Sequence, residues 1–347
     1  MSRRALKTAL LTLCRAAGLF AWAQWRTRKE LRILCYHGFS IGDQHEFEPI
    51  LFMRPEVFER RLRVLERRNL PVVSLSRGIE LLQSDAVRRA ETVITIDDGW
   101  KTTLALAAPV LGKFRYPSCL YITTYYAQRP ANVFNVACSY LLWRAPAIEL
   151  DLAQIDPGLK GHLHTKRQAR EIVAQLVSFA NARLPWPERQ QLLERLARSL
   201  GLNAAEALRE RRFHLLDAAE IGQCGAFGID VQLHTHRHVL PTSSLEALRR
   251  EIDENRQLLE AWTGGNCRHL CYPSGQYAPQ HPEWLAAAGV ASATTCDQGL
   301  NRPDTSAFLL RRYLDRDDVA DVEFEAEITG FAEVMRRARQ SMTGLLR

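Results

Sequence analysis

The chain has 347 residues, 46% of them hydrophobic and 24% charged, with 19 Gly and 15 Pro; this excludes a disordered chain, a collagen-like repeat and a disulfide miniprotein. Forty-six basic and 39 acidic residues give a net charge of +7. All of that surplus falls in residues 1–32, where Arg3, Arg4, Lys7, Arg15, Arg26, Arg28, Lys29 and Arg32 face Glu30 alone, so the rest of the chain is neutral and carries no basic stripe for nucleic acid.

Residues 5–25 read as a helix with a wide apolar face, its polar positions Arg4, Thr8, Thr12 and Arg15 forming a narrow stripe. The uncharged runs, 8–14 and 16–25, are shorter than the ~18–20 apolar residues that span a bilayer. Three readings are open. The segment 1–30 is an interfacial helix drawn to anionic lipid, a helix packed on the protein's own body, or, if Ala21-Trp22-Ala23 is cleaved, an export signal within residues 1–23 that Arg15 interrupts. The first two place the protein in the cytoplasm, peripheral to the inner face of the membrane in the first case; the third exports it. Eight Cys without a C-x-x-C pair fit a reducing compartment.

From residue 31 onward, short apolar runs alternate with amphipathic ones, the pattern of an α/β architecture. Candidate strands are 31–36, 71–75, 92–96, 118–123, 229–233, 269–272, 290–294 and 308–313. Candidate helices are 55–69, 77–90, 102–114, 217–226, 244–262, 281–288 and 319–342. Seven or eight such units predict a distorted (β/α)7-8 barrel over 31–347. Residues 127–216 break the alternation with helices near 134–144, 167–183, 186–200 and 203–211, punctuated by Pro130, Pro146, Pro157, Pro185 and Pro187. They read as a helical insertion without strands, on one barrel loop.

Three polar clusters follow predicted strands: Tyr36-His37-Gly38, Thr95-Ile96-Asp97-Asp98-Gly99 and His234-Thr235-His236-Arg237-His238. In a barrel the strand C-termini converge on one face, where active sites are built. Two His at i and i+4 with a carboxylate make a three-ligand set for a divalent metal with an open position. An adjacent Asp can then serve as a base. Each motif alone matches a solvated turn or a surface His pair; their joint placement after barrel strands does not.

Together with Tyr272-Pro273-Ser274-Gly275, Ala108-Pro109-Val110-Leu111 and Pro117-Ser118-Cys119-Leu120-Tyr121-Ile122-Thr123-Thr124, these motifs make the chain resemble the polysaccharide deacetylases of carbohydrate esterase family 4, the NodB-homology group, over 31–125 and 215–315. The resemblance implies Asp98, His234 and His238 as metal ligands, Asp97 as general base, and the Ser274 backbone N–H as an oxyanion donor. Trp100, Tyr272, Pro273 and Gly275 would face the substrate. A final Leu-x-His-Asp motif, source of the general acid in many members, has no counterpart after residue 275. Leu34-Cys35-Tyr36-His37 looks like that motif moved to the N-terminus, as in the branch acting on poly-N-acetylglucosamine, and makes His37 the acid, or else a His that only lines the site. The family's Arg beside the catalytic Asp is replaced by Cys271. Arg312, or its neighbour Arg311, is the candidate to supply that charge, the other reading being a solvated surface Arg.

The implied cofactor is one divalent ion, Zn before Co or Ni. The implied substrate is an N-acetylated sugar of a cell-envelope glycan or its lipid-linked precursor. Deformylation or deacylation of a lipid-carried amino sugar, and a catalytically idle carbohydrate-binding protein, are the alternatives. No nucleic-acid partner is expected.

Overall fold

Seven of the apolar runs pair into one parallel sheet of the computed structural model, which describes residues 3–129 and 131–344; Met1, Ser2, Pro130 and residues 345–347 lie outside that description. In chain order come helices α1 (Arg3–Ala16) and α2 (Leu19–Arg26), strand β1 (Arg32–Tyr36), helices α3 (Pro55–Arg67) and α4 (Leu75–Gln83), β2 (Thr92–Ile96), α5 (Ala108–Phe114) and β3 (Ser118–Ile122). The inserted segment contributes α6 (Phe134–Arg144), α7 (Ala169–Arg183) and α8 (Trp186–Ser199). The barrel resumes with α9 (Ala218–Gln223), β4 (Ile229–Leu233), α10 (Leu245–Thr263), β5 (His269–Cys271), α11 (His281–Ala287), β6 (Ser292–Thr294) and β7 (Tyr313–Leu314), and α12 (Asp321–Ile328) and α13 (Phe331–Gly344) follow.

The strand order is β6-β5-β4-β3-β2-β1-β7. The sheet curls until the stretch before β7 bridges its two edges, Leu310 pairing with Thr294 and Tyr313 with Leu34. This is a distorted seven-stranded barrel, as the alternation predicts. β1, β2 and β3 are buried at every residue, which is why they read as continuous apolar runs: helices cover one face and the barrel interior the other. Period-two alternation then decides which side chains reach the interior. Ile33, Val93, Cys119 and Tyr121 share one buried cluster, whereas Leu34, Ile94, Leu120 and Ile122 belong to the cluster packed under the helices.

Several local expectations differ. Residues 71–75 form no strand. Val72 makes a single bridge to Thr92, and Ser74 then accepts the Arg77 N–H as N-cap of α4, so the helix begins where the extended run was expected to continue. The helix expected over 77–90 stops at Gln83. The one expected over 102–114 begins with a π-type stretch, Thr103–Ala107, before turning α-helical at Ala108, with Pro109, which has no N–H to donate, in the first turn. The last helix is broken between Ile328 and Phe331. The inserted segment does contain strands, an antiparallel pair Glu149–Asp151 and His162–His164, too short to leave a periodic signal. Its helices share a second buried cluster that includes Leu176, Leu193 and Phe213.

The N-terminal helix bends by 74° between α1 and α2, and no single helix among the described residues is long and apolar enough to cross a membrane. Phe20 and Ala23 are buried against Val322, Ala326 and Phe331 of α12 and α13. Burial of Phe20 alone contributes about 2 kcal/mol. Arg15 pairs with Glu325 and Lys7 with Glu323, while Arg32 is fully buried and donates to the carbonyls of Thr27, Glu30 and Ile328. One side of the segment is therefore packed. The other leaves Leu6, Leu10, Leu13, Trp22 and Trp25 exposed.

Candidate active site

The catalytic candidates gather at the C-terminal ends of the strands. Asp97 continues the inward register of Val93 and Thr95, and its N–H donates to the Tyr36 carbonyl of β1. It is almost fully buried. Arg312, at the entrance to β7, grips both of its oxygens, Nη1 to Oδ1 at 2.7 Å and Nη2 to Oδ2 at 2.8 Å. Its Nε donates to the Thr295 carbonyl at 2.8 Å, and Nη1 donates also to Thr95 Oγ1 at 3.1 Å. Arg311, one residue earlier, is exposed, so the charge beside Asp97 comes from Arg312.

Burial alone would raise the Asp97 carboxyl. Arg312, with smaller help from His37 and His234, outweighs burial and brings it to about 2. Cys35 and Cys271 donate to Asp97 Oδ2 at 3.5 and 3.3 Å, and burial keeps both thiols protonated by pushing them well up. Cys271 thus occupies the place of an expected Arg, and the guanidinium reaches Asp97 from another strand, 3.1 Å from the Cys271 sulfur.

Asp98 opens the following loop with φ 71, a left-handed conformation that Asp tolerates better than most residues. This turns its carboxylate away from that of Asp97. Oδ2 accepts the indole N–H of Trp100 at 3.0 Å. Oδ1 lies 3.3 Å from His234 Nε2 and 3.5 Å from His238 Nε2. His234 lies beside the Cys271 carbonyl through Nδ1 at 2.9 Å; donation there fixes the tautomer and leaves the Nε2 lone pair facing Asp98. Burial lowers His234, but Asp98 and Asp97 outweigh it and leave the imidazole raised. For Asp98, burial raises the carboxyl and the two imidazoles bring it well below its usual range.

Ligand atoms of Asp98, His234 and His238 all lie within 4.8 Å of one another, two imidazoles and a carboxylate converging as a divalent cation requires. Two further groups converge as closely, Asp97-His234-Cys271 and Cys35-His37-Asp97. In both, the Asp97 oxygens are taken by Arg312 and the thiols are held protonated, so the Asp98 group is the one that fits a metal. His236 stands apart, with Nδ1 2.8 Å from Thr124 Oγ1.

His37 follows Ile33 and Cys35 on the inward register, its Nε2 3.9 Å from Asp97 Oδ2. Its buried Nδ1 has no partner among the described residues. Ser274 sits in the next loop with φ 55. Gly275 beside it is positive in φ, and a Cβ there would meet Cys296 Cβ at 2.6 Å, so only Gly fits. Tyr272 departs from its expected place on the substrate face. It is fully buried and packs on Tyr277 and His281, and Pro273 is buried too. Trp100 lines a cavity of about 230 Å³ together with Asp98, His238, Leu51, Tyr126 and Val136. Tyr126 immediately precedes the inserted segment, and Val133, Asn135 and Val136 belong to it, so that segment contributes to the wall of this cavity.

Two residues support the ligands in a way sequence spacing does not show, Trp100 in addition to its expected place facing the substrate and Asn255 as no site candidate at all. Trp100 holds Asp98; Trp100→Phe keeps a ring against Phe52 and removes the donor, and is expected to weaken metal binding by about 10- to 100-fold in a chelator competition. Unchanged affinity would mean the indole only packs. Asn255 of α10 accepts the His234 N–H at 3.0 Å and donates to the Ile122 carbonyl and Thr124 Oγ1, tying the ends of β3 and β4 together. Its signal in the sequence is an Asn on the buried stripe Leu248, Ile252, Leu259 of an amphipathic helix.

The fold recurs in solved structures. The Streptococcus pyogenes deacetylase PplD in complex with acetate aligns with TM-score 0.57 at 13% identity, covering 86% of this chain and 98% of that one. IcaB from Ammonifex degensii gives 0.56 at 15%, covering 87% and 96%. The putative polysaccharide deacetylase BA0330 from Bacillus anthracis gives 0.52 at 16%, covering 86% and 69%. No curated protein sequence matches the chain. The family model described as polysaccharide deacetylase matches residues 85–293, more than half of the chain and the whole stretch from before Asp97 through His238 to Gly275. With Asp97, Asp98, His234 and His238 gathered at one end of the barrel, the chain belongs to the polysaccharide deacetylase family.

Proposed function

We propose that this chain is a metal-dependent hydrolase that removes the N-acetyl group from an amino sugar of a cell-envelope glycan or its lipid-linked precursor. The observation that carries this reading is the pair of adjacent carboxylates with divergent partners: Asp97 on Arg312, Asp98 facing His234 and His238. A divalent ion held by Asp98, His234 and His238, Zn before Co or Ni, supplies Lewis-acid activation of water and of the amide carbonyl.

The chain's own groups do the rest. Asp97, aimed by the Arg312 fork, takes the proton of the attacking water. The Ser274 N–H donates to the oxygen that gains charge. His37 gives a proton to the departing amine as the C–N bond breaks, leaving acetate and a free amino sugar. His37→Ala is expected to lower turnover by about 10²- to 10⁴-fold with metal content unchanged; loss of the metal instead would make His37 a structural part of the ligand set.

The exposed apolar side of α1 and α2, together with their basic charge, supports a peripheral position on a membrane, and the eight free thiols support a cytoplasmic one. The test is mass spectrometry of polymeric and lipid-linked N-acylated glycans before and after incubation with the Zn-loaded protein. Loss of acetyl from either supports the reading, and loss of formyl replaces it with a deformylase. No acyl release, with Asp97→Asn binding the same glycans as tightly as the parent, makes the protein a carbohydrate-binding module.

A further inference from the structure

Beside the basic first segment, the otherwise neutral body of the protein carries a local cluster of arginines. Between α2, the C-terminal end of α3 and the loop before β2 lies a cleft of about 500 Å³ lined by Trp25, Arg28, Arg67, Arg68, Arg88 and Arg89, with no carboxylate in its wall. Arg68 is balanced by Glu325. Among the described residues the other four meet no carboxylate within 4.0 Å, and the nearby Glu91 turns its oxygen to the backbone N–H groups of Arg88 and Arg89. Four arginines without a carboxylate partner around one cavity favour the entry of an anion. The planar guanidinium fork matches phosphate in particular.

The surroundings decide what carries that phosphate. Trp25 is 59% exposed with Arg28 stacked 4.8 Å over its ring, and Trp22 is 49% exposed. Leu6, Leu10 and Leu13 form an open apolar stripe along α1. Exposed indoles at a cationic cleft, with exposed leucines on the preceding helix, suit a bilayer surface, where indoles sit at headgroup level and arginines on phosphates. A soluble phosphate compound would leave that apolar surface in water.

We propose that the cleft binds the phosphate of an anionic phospholipid headgroup while Trp22 and Trp25 enter the bilayer beside it. This rests on the peripheral-membrane reading above and gives it a specific site, shared between the N-terminal segment and the barrel. The cleft flanks the starts of the strands. Ala90, two residues before β2, donates to the Arg28 carbonyl at 2.7 Å, whereas Asp97 and His234 follow the ends of β2 and β4. Its residues are therefore separable from the catalytic ones.

The test is co-sedimentation of the full chain with vesicles of phosphatidylcholine alone and of phosphatidylcholine mixed with phosphatidylglycerol. The parent is expected to bind the mixed vesicles and not the neutral ones. The triple variant Arg67→Ala/Arg88→Ala/Arg89→Ala should partition roughly 100-fold more weakly while cleaving a soluble N-acetylglucosamine oligomer like the parent. Equal binding of parent and triple variant to the mixed vesicles overturns the cleft and leaves the peripheral reading standing. No vesicle binding by the parent overturns both. A thermal shift with inorganic phosphate, or tight binding of a single-stranded oligonucleotide, each without vesicle binding, also overturns the proposal, by giving the cleft a soluble ligand.

Discussion

Arg312→Ala is expected to abolish acetate release and to cost about 3–5 kcal/mol of stability in urea titration, because it strands the buried Asp97 carboxylate without its partner. The removed group is wholly buried and makes both bonds of a bidentate pair. Arg312→Lys separates the two effects. It retains a positive charge and part of the stability, but a point charge cannot grip both oxygens, so turnover should stay low. In Asp97→Ala/Arg312→Ala no charge is left alone, and the double variant should lose less than the sum of the two single changes. A stable, active Arg312→Ala protein would show that Asp97 needs no orienting cation.

His234→Ala and His238→Ala proteins should purify without metal and lose turnover by about 10³-fold or more, whereas His236→Ala keeps both. The three histidines lie within five residues, and only their surroundings separate them. His234 is fixed by the Cys271 carbonyl and His238 shares Asp98 Oδ1 with it, but His236 is turned to Thr124. Metal content after dialysis, measured beside acetate release, decides the matter. A metal-free His236→Ala protein would overturn the ligand assignment.

The contrast shows what the sequence carries. Strand ends are visible because β1, β2 and β3 are buried on both faces, and residues just past them fall on the catalytic side of any parallel barrel. That places Asp97, Asp98, His234 and His37 together before any coordinates. The choice between Arg311 and Arg312 is not visible, since neighbours on an extended chain point oppositely and the register of a two-residue strand is set by its partner, Leu34 to Tyr313. The burial of Tyr272 is hidden for a related reason. An aromatic beside a loop motif looks like a sugar platform, yet its side chain is fully buried against Tyr277 and His281. Trp100 and Asn255 support the ligands through hydrogen bonds, which follow no sequence spacing.

The Asp97–Arg312 pair spans 215 residues of chain, which sets the interval between the synthesis of its two members. A growing polypeptide leaves the ribosome at roughly 5–20 residues per second, so Asp97 is made about 10–40 s before its guanidinium. Through that interval the base has no orienting partner, and the seam between β1 and β7 is still open. A nascent chain that stalls after His238 and before Arg312 carries Asp97, Asp98, His234 and His238 but lacks the guanidinium that grips Asp97.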